Sequence, residues 1–443
     1  MSSSPFAQTL ARVVSIRPGE GRSLGWAVAY FFFVLCAYYV LRPIRDEMGV
    51  AAGVANLQWL FTATFVVMLL AMPGFGALVA RLPRRRFIAW VYRFFGLSLL
   101  VFWILLHWDI GRVHVARALF VWVSVFNLFV VTVFWGFMSE RFGFERGKRL
   151  FGCIAAGGTA GALVGPSLTA VLAVPLGPAN LLLVSVVLLE AATRCAGALM
   201  SLSLPAGDEA ARAETRAARE PGRPAEGAAL GGGVWAGLTE VFRSRYLQLI
   251  CLHVLLLSLT NTFLYFQQAA IVAGAFDNPA ERTRVFALID LSVGLATLAV
   301  QLLITGRIMV RFGAGLALAL LALVTALGFA ALALAPVLAV VIAFQVTKRA
   351  AEFSLANPAR ETLFTVVTPE QMYKSKSFID TAVFRAGDAA SGWLYAGLRQ
   401  AAALEATVIA WMTVPLALAW AAMLLRLGTL QKALADRAGP PPS

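Results

Sequence analysis

Charge is scarce in this chain. Only 14% of its 443 residues are charged, 60% are hydrophobic, and the mean hydropathy is +0.79. Water-soluble proteins carry about a quarter charged residues, so this much apolar surface needs a non-aqueous solvent. Histidine is rarer still, with three copies, and cysteine has four. His107, His114 and His253 are too scattered to suggest a metal site. Cys36, Cys153, Cys195 and Cys251 fall inside apolar runs without close spacing, and read as small buried hydrophobes. A glycine-rich phosphate loop is also missing: "GFERGKR" has the wrong spacing and no Ser or Thr after its lysine. With no nucleophile–base pair or His/Cys cluster, the sequence reads as a non-enzyme without a cofactor.

What the chain has instead is apolar runs of about 20 residues, each long enough to cross a hydrocarbon core. Twelve spans are expected, at roughly 24–41, 54–80, 87–108, 113–138, 150–174, 180–202, 246–273, 285–311, 313–334, 337–364, 376–399 and 405–426. With a cytoplasmic N-terminus, most of the 37 Lys and Arg residues fall on the inner side. That placement accounts for the net charge of +14 without nucleic acid. The expected location is a bacterial-type inner membrane, both termini cytoplasmic. The first 23 residues carry Arg12, Arg17 and Arg22 but no apolar core, so they read as a cytoplasmic lead and not a signal peptide.

Leu204 to Gly233 is rich in Ala, Gly, Pro and mixed charge, which predicts a flexible linker. The expected organisation is a lead (1–23), a six-helix bundle (24–202), a cytoplasmic linker (203–245), a second six-helix bundle (246–426) and a tail (427–443). The halves share a repeated loop. "GALVARLPRRR" after span 2 aligns with "GRIMVRFG" after span 8, pairing Gly76 with Gly306, Arg81 with Arg311 and Pro83 with Gly313. Such a repeat implies two bundles related by an axis along the membrane normal. The loops resemble the signature loop of the major facilitator superfamily, less its aspartate, which is replaced by Ala80 and Val310. The predicted fold is therefore all-α, integral to the membrane and of major facilitator type.

Span 5 carries Gly152, Gly161 and Gly165-Pro166, a spacing that resembles the motif of facilitator-type antiporters but lacks its closing glycines. Close helix packing accounts for these glycines equally well.

A charged group inside a span costs about 2.5–3.5 kcal/mol on insertion scales, so such groups face a cavity or a partner. Between Phe344 and Phe364, Gln345, Lys348, Arg349, Glu352 and Arg360 fall within about 120° of a helical wheel. Pro358 is expected to loosen that helix. Span 7 adds Ser258, Asn261, Tyr265 and Gln268, span 8 adds Asp290, span 4 adds Asn127, and span 11 adds Asp380, Arg385 and Asp388. Fixed charge on these lining helices sums to a cationic surplus, which favours a small anionic solute. Tyr30, Tyr38, Tyr39 and Tyr265 are candidates to stack a planar ring, or packing and interface aromatics.

"YYVLRPIRDEMG" (Tyr38–Gly49), "FWGFMSERFGFERGKRLFG" (Phe134–Gly152) and "FSLANPARETLFTVVTPEQMYKSKSFIDTAVFRAGDAASG" (Phe353–Gly392) resemble segments of the nucleotide transporter family of bacterial and plastid ATP/ADP translocases. The resemblance implies a facilitator fold and exchange of nucleotides. It also implies a lysine in span 2, glutamates in spans 4 and 7, and a lysine in span 10. Here those positions offer Gln58, Asn127, Asn261 and Arg360. The chain thus resembles a divergent member.

The leading reading is a monomeric alternating-access transporter in the lipid bilayer, exchanging an anionic metabolite such as a nucleotide. Lys348, Arg349, Glu352, Arg360, Asn261, Gln268, Asn127 and Tyr38 are the substrate-binding candidates. Arg42, Arg45, Asp46, Asp290, Asp380, Arg385 and Asp388 are the gate or coupling candidates, with the first three expected to pair across the halves or to anchor at the interface. Two other readings stay open: a proton-coupled facilitator using Asp290, Asp380 or Asp388, and a non-transporting membrane sensor.

Overall fold

The computed structural model describes residues 20–81, 84–202 and 241–438. All regular structure among them is helical. The elements are α1 (Gly21–Ala51), α2 (Leu57–Arg81), α3 (Arg84–His107), α4 (Arg112–Ser201), α5 (Arg245–Ala275), α6 (Pro279–Val300), α7 (Gly306–Leu334), α8 (Leu338–Ala351), α9 (Asn357–Leu363), α10 (Pro369–Phe378), α11 (Phe384–Gln400) and α12 (Ala406–Ala438). Nearly all of the expected linker, the lead up to residue 19 and the end of the tail lie outside the described residues. The start of the expected tail is helical, because α12 runs on to Ala438.

Eight helical stretches among the described residues are long and apolar enough to cross a membrane. The protein is an integral membrane protein on that ground. The expected spans 10 (337–364) and 11 (376–399) are not among the eight, because polar side chains and helix interruptions break their apolar runs. The long helix α4 departs from helical geometry at Gly143 (φ 64°) and Gly177 (φ 79°), and α7 does so at Gly313 (φ 78°). A side chain is strained at such φ values, which explains glycine at these turns. Gly313 closes the second copy of the repeated loop. In the first copy, residues 82 and 83 lie outside the described residues.

The helices cluster into two compact units. One comprises residues 20–51, 66–81, 84–202 and 278–288; the other comprises 52–65, 241–277 and 289–438. The beginning of α2 thus groups with the second unit, and the beginning of α6 with the first.

In the first unit, α1 lies directly against α4. A Cβ added at Gly157 would sit 2.7 Å from the carbonyl oxygen of Val28, and one at Gly165 would sit 2.7 Å from that of Cys36. At Gly158 and Gly161 it would collide with the Phe31 ring and the Phe32 carbonyl oxygen. Small residues here let two backbones touch, the usual route to tight association where lipid gives no hydrophobic drive. Gly152, by contrast, has open space at its Cβ position. Polar bonds join the same helices, directly or through Tyr92 of α3. Tyr30 donates to Tyr92 at 2.6 Å, Tyr92 to the Val130 carbonyl at 3.3 Å, and Ser185 to the Ala37 carbonyl at 3.3 Å. At the start of α1, buried Glu20 accepts from Arg149 at 3.0 Å and pairs with Arg146 at 3.4 Å.

In the second unit, α7 and α12 cross at paired glycines, where a Cβ on Gly428 would lie 2.5 Å from the Cα of Gly315. Three π-turns interrupt its helices, at Gln301–Thr305, Glu352–Ala356 and Ile379–Val383. The middle one follows from Pro358, which has no N–H and whose ring crowds the preceding turn. The ladder widens there, and the Asn357 N–H bonds back to the Glu352 carbonyl. Neighbouring side chains take up carbonyls that the widened turn releases. Gln301 donates to Phe353 O at 3.4 Å, and Thr305 to Ser354 O at 3.0 Å.

Candidate functional site

The polar stripe of α8 and α9 is held inside the second unit by partners on other elements. Gln345, at 7% exposure, donates to buried Gln268 on α5. Lys348 is fully buried, and its ammonium donates to the Asn261 side-chain oxygen. The Asn261 amide nitrogen in turn points at both carboxylate oxygens of Glu352, at 3.3 and 3.4 Å. Asn261 therefore stands between a cation and an anion, offering each the end it needs. Arg349 donates to Asp290 of α6 at 2.7 Å, with the Asp290 side chain 2% exposed. The Phe353 ring lies 5.8 Å from the Arg349 guanidinium. Arg360 faces Asp380 at 3.6 Å, across from the third π-turn.

The widened turn after Ala351 re-aims the helix between Lys348 and Arg360. Glu352 heads one π-turn and Asp380 lies within another, so both carboxylates sit where the helical ladder is already opened. Such turns are frequent at functional positions.

This arrangement alters the expected electrostatics. Lys348, Arg349 and Arg360 each meet a carboxylate or the amide that bridges to one, so three cations face Glu352, Asp290 and Asp380. The formal charge of this group is balanced, not cationic. Each ion is also hydrogen-bonded or paired, which makes burial tolerable.

The remaining candidates are placed as follows. Asp388 accepts from Ser258 at 2.6 Å and pairs with Arg385 at 3.6 Å within α11. Asn127 is half-buried on α4. Tyr38 is half-buried on α1, with its ring 5.1 Å from that of Tyr39. Tyr265 lies 5.6 Å from Phe61, and Tyr30 is buried in an aromatic cluster with Phe134. Gln58, the counterpart of the expected span 2 lysine, is 4% exposed. Arg45 pairs with its neighbour Asp46 at 3.2 Å and covers the Phe120 ring at 4.7 Å, while Arg42 lies over Tyr39.

Two features escaped the sequence reading. Glu47, inside the quoted first motif, is fully buried and bound by Arg282 at 2.7 and 2.8 Å. His253, set aside as a stray histidine, is 1% exposed and accepts from the indole of Trp420 at 3.2 Å. The sequence signal for Glu47 was its place in the charge-dense stretch with Arg42, Arg45 and Asp46, and for His253 a polar residue inside an apolar run.

The Major Facilitator Superfamily model matches residues 23–392. The chain belongs to the Major Facilitator Superfamily. It is thus a membrane transporter by family. No curated protein matches it. Among solved structures, an auto-inhibited POT family peptide transporter is similar with a TM-score of 0.61 at 14% identity, over 94% of this chain and 97% of that one. The nucleoside transporter NupG gives 0.60 at 13% identity, over 94% and 99%. A POT family transporter in complex with 5-aminolevulinic acid gives 0.61 at 10% identity, over 94% and 99%. At these identities the likeness is one of fold.

Proposed function

We propose that the chain is a secondary transporter that works by alternating access and exchanges an anionic metabolite, with nucleotides as the leading class. The observation that carries this reading is Lys348, an ammonium with no exposed surface, placed beside Arg349 and above Arg360 on one interrupted helix. Three cations on one membrane helix are too costly to keep without a task.

The balanced pairing suggests how such a task proceeds. In the empty carrier, Glu352, Asp290 and Asp380 neutralise the cations. An incoming anion competes with these carboxylates and takes their place. The empty state then returns only by re-forming internal pairs, a step that a counter-substrate bypasses. The resemblance to nucleotide transporters fits this logic, with one rearrangement: where that family has a span 7 carboxylate, Asn261 instead touches Glu352. The carboxylate is supplied from the neighbouring helix.

A second reading is favoured by one pair. Asp290 and Arg349 meet at 2.7 Å with little exposure, an arrangement that could release Arg349 when Asp290 is protonated. That would couple transport to protons, for a solute outside the nucleotides.

Counterflow decides between them. Liposomes loaded with unlabelled ATP, ADP, phosphate or unrelated metabolites are tested for uptake of the labelled compound, with and without a pH gradient. Uptake that needs an internal anion and vanishes in Lys348→Ala supports exchange. Uptake driven by the gradient alone, and indifferent to every nucleotide, refutes it. The same liposomes, with protease applied from outside, test for cytoplasmic termini.

A further inference from the structure

Between Phe87 and His107, Arg93 is the sole Asp, Glu, Lys or Arg, and between Ile154 and Ser201 only Glu190 and Arg194 carry such charge. All three meet in the first unit. Arg93 of α3 lies 3.8 Å from Glu190 on the last part of α4, and Arg194 pairs with the same carboxylate at 3.2 Å. Further along, the Trp103 indole donates to Asn180 at 2.9 Å. With Arg93 beside Glu190 and Trp103 beside Asn180, the two stretches run antiparallel, so the start of α3 adjoins the end of α4. Arg93 lies six residues into its apolar stretch, and Arg194 seven before the end of its own at Ser201. At 1.5 Å per residue both arginines sit about 10 Å inside the same end of the membrane-crossing pair.

These ions face outward. The side chains of Arg93, Glu190 and Arg194 are 63%, 39% and 79% exposed. Around them Trp90, Phe94, Leu97 and Val187 are exposed as well. Charged groups within spans ordinarily turn to the protein interior or a wet cavity. Here one carboxylate is shared by two guanidiniums, and a surplus positive charge stays on a surface whose other side chains suit acyl chains. At this depth an arginine can lay its stem along that surface and lift its head toward the phosphate level.

We infer that Arg93, Glu190 and Arg194 form a headgroup site for an anionic phospholipid of the phosphatidylglycerol class. The guanidiniums donate to the phosphodiester oxygens, and an acyl chain lies along Trp90, Phe94 and Leu97, which share one face of α3. Glu190 holds the two arginines together and is used up in doing so. A zwitterionic headgroup would bring its own ammonium to two guanidiniums and find no free carboxylate. An anionic one leaves the group neutral. The site lies on the outside of the first unit, so it stands whatever the cargo is.

The test uses the full-length protein in detergent micelles, titrated with phosphatidylglycerol or with phosphatidylethanolamine of the same acyl chains. Native mass spectrometry counts the bound lipid. Phosphatidylglycerol should be retained in preference, and glycerol phosphate, which has the headgroup chemistry without the chains, should not displace it. Arg93→Gln and Arg194→Gln should each weaken phosphatidylglycerol binding about fivefold, the effect of one basic residue near a lipid surface. Glu190→Gln, which frees both guanidiniums, should tighten it. Arg426→Gln removes an exposed arginine of the second unit and should leave this binding unchanged. Arg194 is exposed enough that its replacement does not disturb packing, so that variant reads the site without a folding defect. Equal retention of the two lipids, or displacement by glycerol phosphate, overturns the proposal. So does a loss in Arg194→Gln no greater than in Arg426→Gln, which would mean a generally basic surface and no built site.

Discussion

Arg282 grips the carboxylate of Glu47 through two nitrogens, at 2.7 and 2.8 Å, across 235 residues of sequence. Glu47 has no exposed surface, and the Arg282 side chain is 12% exposed. Removing one partner of such a pair leaves a buried ion uncompensated, at a cost of about 3–5 kcal/mol. Arg282→Ala and Glu47→Ala should each lower the thermal unfolding midpoint in detergent, and the double variant should lose less than the sum. Additive losses would show that the two groups act independently.

Lys348 and Asn261 should behave as one unit. Lys348→Met removes a buried cation and leaves Glu352 facing an amide alone. The expected result is folded protein without uptake. Asn261→Asp puts a carboxylate against the ammonium while setting a like charge against Glu352. That variant should fold less well than wild type, by about 1–3 kcal/mol, measured by chemical denaturation in micelles. An Asn261→Asp protein of unchanged stability would mean that Glu352 does not share its environment.

Exchanging Asp290 and Arg349 separates charge from position. Asp290→Asn should impair transport because it strands a guanidinium in a low-dielectric site. The reciprocal double variant Asp290→Arg with Arg349→Asp should recover expression and part of the stability. Recovery of stability without activity would assign the pair to folding alone.

Gly161 and Gly165 face backbone, not flexible side chains. Gly161→Val should destabilise the first unit by more than the roughly 1–3 kcal/mol typical of overpacking, because a carbonyl cannot step aside. Gly152→Ala should be silent, since its Cβ position is open. Expression and the unfolding midpoint of the two variants provide the comparison.

The membrane class was legible from the sequence because apolar runs are local. A helix such as Gly21–Ala51 needs no distant partner to declare itself. The glycines of span 5 were visible too. Their spacing fitted both an antiporter motif and simple close packing, and the structure supplies the packing: Gly157, Gly158, Gly161 and Gly165 bear on α1, while Gly152 does not. The stripe from Gln345 to Arg360 was read from helical periodicity, and Pro358 hinted at the widened turn. What periodicity cannot give is the partner. Asp290 and Arg349 were both marked, but nothing in a linear pattern joins them. Glu47 with Arg282, and His253 with Trp420, depend on how helices far apart in sequence meet. Periodicity likewise put Lys348, Arg349 and Arg360 on one face without showing that Asn261 with Glu352, Asp290 and Asp380 stand opposite them.

The bare contact between α1 and α4 has a further mechanical consequence. At Gly157, Gly161 and Gly165 backbone meets backbone, so few rotamers lie at this crossing to reshuffle, and sliding or tilting by small steps is opposed. They travel as a single strut. Any shape change demanded of the chain must be absorbed where the helical ladder is already loosened, and the three π-turns near Gln301, Glu352 and Asp380 are the compliant joints. Stiffness and give are thereby assigned to separate stretches of the sequence, the first by glycine and the second, at Glu352, by a proline.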